Sequence, residues 1–236
     1  MYPCQGAGLF PAATVHPHIV MNRRNFIHLL LCLMLAGFTA AAQKPFTEGV
    51  IVYNVELVSP DNTSVKGIYT FSIKDAMIKK ELVLENGYVD VTLLDSDEQT
   101  IYSLQNRGGK KYAIQLNIEE AIKQQQHYKG FRIVDEVNSG KKLSGLDVFN
   151  ARIVYPDGVR SDVSYTKEWR PAYAVTFNRF PDAMFFPLNF YYNEAAGTMN
   201  FVATKMEACP VASSIFRIPA EYKIITYDVY LQLIKE

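Results

Sequence analysis

Disulfide chemistry, multi-histidine metal sites and a strong charge of one sign are missing from most of this chain. It has 3 cysteines and 4 histidines in 236 residues, and Cys4, Cys32, His16, His18 and His28 all fall within the first 42 positions. Beyond them stand only Cys209 and His127. A single cysteine excludes an internal disulfide there. A single histidine excludes a multi-histidine zinc site and leaves a histidine-based triad one place to stand. No apolar run reaches the roughly 20 residues of a membrane-spanning helix. Repeats, low-complexity tracts and long Pro/Gly/Ser linkers are also missing, so nothing divides the chain after residue 43 into several domains.

What is present begins with a leader. Met21-Asn22-Arg23-Arg24 precedes the apolar run Phe26 to Gly37, which closes on Ala40-Ala41-Ala42-Gln43. A basic segment, a short apolar core and a small-residue exit form a cleaved secretory signal. Residues 1–42 therefore read as an N-terminal extension, with the true start at Met21, plus a signal peptide. Residues 43–236 read as one exported domain. Phe38 stands where a lipoprotein signal places its cysteine. The expected product is soluble, periplasmic or secreted, and not lipid-anchored. Removing Arg23 and Arg24 from the 24 basic residues leaves 22 against 24 acidic ones. That balance gives no electrostatic reason to bind nucleic acid.

The rest alternates like a strand protein. Val50 to Leu57 is rich in β-branched and aromatic residues, and strands are expected at 65–73, 76–84, 88–94, 99–104 and 111–116. Glu85-Asn86-Gly87 and Asn106-Arg107-Gly108-Gly109 are turn signals. Asn117 can cap a helix through Tyr128, with Glu119 and Glu120 in its first turn. Further strands are expected at 131–137, 147–155, 161–169, 190–193 and 198–207. Thr226 can cap a closing helix with Tyr227, Tyr230, Leu231 and Ile234 on one face. Short strands joined by hairpins make an antiparallel meander, which must curl or close to hide its edges.

Three stretches carry a resemblance. Lys141-Lys142-Leu143-Ser144-Gly145-Leu146-Asp147-Val148-Phe149-Asn150-Ala151 resembles the K-x-I-x-G-[aromatic]-x-C-x-K-A stretch of exported Bacteroidetes proteins of unknown function. Ser164-Tyr165-Thr166-Lys167-Glu168-Trp169 is similar to their [aromatic]-Tyr-Thr-x-[acidic] strand. Pro210-Val211 through Ser214-Ile215-Phe216-Arg217-Ile218-Pro219-Ala220-Glu221-Tyr222-Lys223 is similar to their closing P-V-x-x-x-x-F-x-I-P-x-x-Y-K. Those families resemble the lipoprotein-carrier (LolA-like) superfamily. The resemblance spans roughly residues 46–225 and implies an α+β fold: a strongly curved antiparallel sheet, an incomplete barrel, with helices covering its concave face. Phe149 stands where the families commonly have cysteine. Phe185-Phe186-Pro187-Leu188-Asn189-Phe190 lacks the glycine of their Gly-x-Pro-Leu-x-aromatic element.

The densest unusual segment runs from Trp169 to Tyr192. Its prolines predict that part of it is a loop lined with aromatic surface. Trp169, Tyr173, Phe177, Phe180, Phe185, Phe186, Phe190 and Tyr192 are the candidate ligand-binding residues, as the lid of an apolar cavity. The plainer reading of the same rings is a plug that fills the half-barrel and leaves no cavity. His127 reads as an exposed helix-end residue and Cys209 as a small buried hydrophobe. Asp95-Ser96-Asp97-Glu98 lacks the spacing of a calcium loop and reads as a solvated turn. Arg152, Arg160, Lys167 and Arg170 read as the wet face of a hairpin.

No catalytic residue, cofactor or metal site is expected. The leading expectation is an exported envelope protein carrying a lipid or acyl ligand in its half-barrel. The alternative is an envelope protein-interaction module with a filled core and no ligand.

Overall fold

The computed structural model describes residues 43–172, 179–181, 183–194 and 197–235. The expected leader, residues 1–42, and two of the candidate site residues, Tyr173 and Phe177, lie outside the described residues. The strands are β1 (Lys44–Phe46), β2 (Glu48–Val58), β3 (Ser64–Lys74), β4 (Met77–Leu84), β5 (Val89–Asp95), β6 (Thr100–Arg107) and β7 (Lys110–Leu116). Helix α1 (Ile118–Gln125) and a 3-10 turn (Gln126–Tyr128) follow. Then come β8 (Arg132–Leu143), β9 (Leu146–Val154), β10 (Arg160–Thr166), β11 (Trp169–Pro171), β12 (Phe186–Glu194) and β13 (Gly197–Glu207). A second 3-10 turn (Ser213–Phe216), β14 (Lys223–Thr226) and α2 (Tyr227–Leu233) complete the chain.

Twelve strands form one sheet in the order β14-β7-β6-β5-β4-β3-β2-β13-β12-β10-β9-β8. Its joins are antiparallel apart from β14, which lies parallel to β7. The mixed sheet curls without closing into a barrel, with β8 and β14 as its two edges. β1 and β11 form a separate parallel pair, Lys44 opposite Trp169 and Phe46 opposite Pro171.

Period-two patterning decides which side faces in. On β2, Ile51, Tyr53 and Val55 are buried while Asn54 is exposed. Tyr53 pairs with Tyr69, Val55 with Gly67 and Ile51 with Phe71, so these residues share the inner face. Gly67 is required by contact rather than by turn geometry: a Cβ there would lie 2.3 Å from the Val83 carbonyl oxygen. The β8–β9 hairpin turns on Ser144 (φ 49°) and Gly145 (φ 86°), both left-handed, the geometry of tight two-residue hairpins. Ser144 Oγ also accepts a hydrogen bond from the Met206 N–H (3.1 Å), tying the hairpin to β13.

Both helices start where expected. The Asn117 side chain accepts from the N–H groups of Glu119 (2.9 Å) and Glu120 (3.2 Å), and Thr226 Oγ1 accepts from Val229 N–H (3.4 Å), so two orphan helix termini are satisfied. The turn after α1 lays the Tyr128 ring on Tyr155 (5.3 Å between centroids), a core residue that directly follows β9.

Two expectations change in detail. The strand expected at 161–169 ends at Thr166, and Trp169–Pro171 leaves the sheet to pair with β1. The strand expected at 190–193 begins earlier, at Phe186, and runs to Glu194. Pro187 is tolerated there because the β10–β12 register shifts between Ser164 and Tyr165, opposite it, and a bulge spares a residue that cannot donate to the ladder.

A second, smaller core lies on the other side of the sheet. Val91, Leu93, Leu104 and Ala113 are covered by Ile218 and Tyr222 from the segment that follows β13. That strap is pinned at its start. Val211 N–H donates to Glu48 Oε1 (2.9 Å), Lys74 Nζ donates to the Val211 carbonyl (2.9 Å), and Lys74 and Glu48 form an ion pair (3.1 Å). The hydrogen bond from Val211, followed by that from Lys74, holds the Glu48 carboxyl below the usual range. The closing signature Pro210 to Lys223 is therefore the strap, its pinning point and the first residue of β14.

Candidate functional site

The aromatic interior is built from alternate positions of several strands. β2 and β3 contribute Tyr53, Tyr69 and Phe71, β13 contributes Phe201, and β12 contributes Phe186, Phe190 and Tyr192. Phe180 and Phe185 enter from the segment before β12. Phe190 stacks on Phe201 (4.6 Å, 7° between planes) and meets Phe180 edge-on (5.8 Å). Phe185 tilts against Tyr165 (4.5 Å), and Phe186 against Phe46 (5.3 Å). These offset and edge-on arrangements are the favourable ones for π-systems.

Of the candidate ligand residues, Phe180, Phe185, Phe186 and Phe190 are buried, and Tyr192 is half-buried against Phe190 and Phe201. The structure brings these five into one cluster. Trp169 packs on the rim of the same cluster, with its edge against Phe46 (5.4 Å), and also borders an open groove of about 410 Å³ with Ser144, Leu146, Lys205 and Met206. A second hollow of about 220 Å³ lies under Phe216 and Ile218 of the strap.

Two interior hydroxyls are satisfied by backbone carbonyls. Tyr53 Oη donates to the Pro187 carbonyl (2.8 Å) and Tyr155 Oη to the Arg179 carbonyl (3.0 Å). Burial pushes the Tyr53, Tyr69 and Tyr192 hydroxyls well above the usual phenol range, so they remain neutral donors. Arg179 lies over the Tyr128 and Tyr192 rings (4.9 and 5.5 Å) and donates to the Asn193 carbonyl (3.0 Å). Along β4 and β5 the inner face turns polar. The Lys80 Nζ sits 5.7 Å from the Phe71 centroid, and burial lowers its pKa to about 8. Asp90 is raised by burial and receives a long hydrogen bond from Gln105 Nε2 (3.5 Å).

Sequence reasoning missed most of the ring partners. Phe131, Tyr128, Tyr155, Tyr165 and Phe46 all join the cluster or pack on it. Only for the partners on the long strands was there a signal, that of parity: Tyr53, Tyr69, Phe71 and Phe201 occupy inward positions. Phe149 lies beneath Lys167 (4.4 Å from the centroid) and beside Tyr165. Both Lys167 and the buried Tyr165 donate to Glu136 on β8. Those two bonds, Lys167 first, hold the Glu136 carboxyl below the usual range.

Arg152 pairs with Asp135 (3.1 Å) and Asp162 (3.2 Å) on the sheet surface. Asp95 Oδ1 accepts from the N–H groups of Asp97 (3.0 Å) and Glu98 (3.1 Å), a closed turn. His127 is exposed and Cys209 half-buried. Among the described residues no three His, Cys, Asp or Glu side chains are grouped to hold a metal ion.

No family model and no curated protein matches the chain. Among solved structures it is similar to the MucA/MucB complex of Pseudomonas aeruginosa, at 10% identity and a TM-score of 0.39, over 76% of this chain and 58% of that one. It is also similar to a LolA superfamily protein from Nitrosomonas europaea, at 9% identity and a TM-score of 0.36, over 75% of this chain and 92% of that one. The chain thus spans less than two thirds of the first of these proteins. At such identities and scores the likeness says nothing of ligand or partner.

Proposed function

We propose that this chain is an exported envelope protein that works through protein contacts, with the inside of its curled sheet filled by its own side chains. The observation that carries this reading is the state of the aromatic segment. Phe180, Phe185, Phe186 and Phe190 are buried against Phe46, Phe201, Tyr165 and one another. Each ring buried in this way contributes roughly 1.5–3 kcal/mol to folding, so exchanging these contacts for those of an acyl chain gains little. The rings act as the plug, and the binding surface is elsewhere.

A second reading, a carrier of a small apolar ligand, draws on the groove beside Trp169. Its volume of about 410 Å³ is at the low end of the roughly 300–1,000 Å³ of small-molecule sites. Its rim includes the Lys205–Glu207 ion pair (2.5 Å), which disfavours an acyl chain lying across it.

Photo-crosslinking in intact cells separates the two. A photoreactive residue at Ile68, on the outer face, should give protein-sized adducts, and one at Trp169 should give none of lipid size. Lipid-sized adducts at Trp169 with nothing at Ile68 would reverse the choice.

A further inference from the structure

The outer face of the sheet centre carries an uncharged row that no element covers among the described residues. Val202 on β13, Asn54 on β2, Ile68 on β3, Val83 on β4 and Val89 on β5 are successive cross-strand partners. The four aliphatic members are 47%, 44%, 43% and 49% exposed, in strand order. Isolated exposed aliphatics are ordinary, but four at one register on neighbouring strands make a continuous stripe. The strap covers only the neighbouring outer-face cluster of Val91, Leu93, Leu104 and Ala113.

The rows on either side are charged, and their register is self-complementary. One row places Glu56 on β2 opposite Lys66 on β3. The other places Lys205 on β13, Val52 on β2, Thr70 on β3 and Glu81 on β4. A twofold axis parallel to the strands, midway between β2 and β3, exchanges β2 with β3 and β13 with β4. Across that axis Glu56 meets the other copy's Lys66, Lys205 meets Glu81, and Val202 meets Val83, each contact occurring twice. An axis centred on a strand would not match the charges.

We propose that this face is the contact surface between two copies of this chain, packed sheet on sheet about that axis. The inference rests on the protein-contact reading and names its partner. Four strands about 4.8 Å apart and three same-face rows about 6.8 Å apart present roughly 20 by 20 Å. That is about half of the 800 Å² each partner gives to a standard interface, which fits a reversible pair. Symmetry doubles every contact, so one substitution acts twice.

The test is sedimentation equilibrium of the purified protein up to about 0.5 mM, with circular dichroism to establish folding. The wild type should shift from monomer towards dimer with concentration, and Ile68→Lys should abolish the shift. Glu56→Lys alone and Lys66→Glu alone should each weaken pairing roughly fivefold, and the double charge swap should restore it. Because Glu56 and Lys66 also face each other within one chain, the decisive arm mixes the Glu56→Lys and Lys66→Glu proteins: unlike charges then meet only across the axis, and restored pairing in that mixture is a rescue that a folding defect cannot imitate. A wild type that stays monomeric, or a dimer indifferent to all these changes, overturns the pairing. Crosslinks from Ile68 to other proteins, found alongside a monomeric wild type, would overturn it while leaving the broader protein-contact reading in place.

Discussion

Phe190 is 2% exposed, stacked on Phe201 and edge-on to Phe180. Removing that ring costs its transfer free energy and leaves a cavity that close neighbours cannot fill. Phe190→Ala should lower the unfolding free energy by about 3–5 kcal/mol, measured as a shift of the urea midpoint at unchanged slope. Glu136 carries a pH dependence of definite sign. Its folded carboxyl lies below the usual range because Lys167 and Tyr165 donate to it. The unfolded chain therefore takes up this proton first. The stabilisation is complete at neutral pH and is lost as pH falls through the folded-state value, from about pH 5 downward. Glu136→Gln should flatten that part of the stability profile, and an unchanged acid limb would contradict the assignment.

At the scale of elements, local signals were legible and non-local ones were not. Asn117 and Thr226 announced their helices because a capping side chain acts within three residues. Glu85-Asn86-Gly87 and Gly108-Gly109 mark hairpins because left-handed backbone selects residue types at the turn itself, whereas the Ser144-Gly145 turn was not read from the sequence. The β1–β11 pair left no such trace, since Lys44–Phe46 becomes a strand only where Trp169–Pro171 lies alongside. β14 is likewise defined by β7.

The strap was legible as a motif but not as a structure, because Ile218 and Tyr222 find their partners on strands more than a hundred residues earlier. The aromatic segment could be seen in the sequence, whereas its role as plug or lid depended on whether Phe201, Phe46 and Tyr165 faced it. The strap's role can be checked directly. Ile218→Asp should raise hydrogen exchange across 211–222 and at the outer-face residues of β5 and β6, while leaving β2 and β3 protected. Uniform loss of protection would mean that the strap belongs to the global folding unit.

For the molecule as a whole, the sheet has one side filled with rings and another that is stripe and strap. Its edges are poor sites for strand addition. β14 is four residues long. β8 is interrupted by register shifts between Val134 and Val137 and between Asn138 and Lys142, and Asp135 within it is left-handed (φ 54°). Short and bulged edges discourage pairing with foreign strands. Edges of this kind agree with the proposed reading, in which contacts are made through the outer face.

The most direct measurement is native mass spectrometry of the protein purified gently from the envelope fraction, before and after incubation with envelope lipids. A filled interior predicts a mass free of lipid in both cases, beginning at Gln43 if the leader is cleaved as read. A stoichiometric lipid-sized adduct that survives desolvation, and that is lost when Phe185 and Phe190 are replaced in a variant that still folds, would contradict the account.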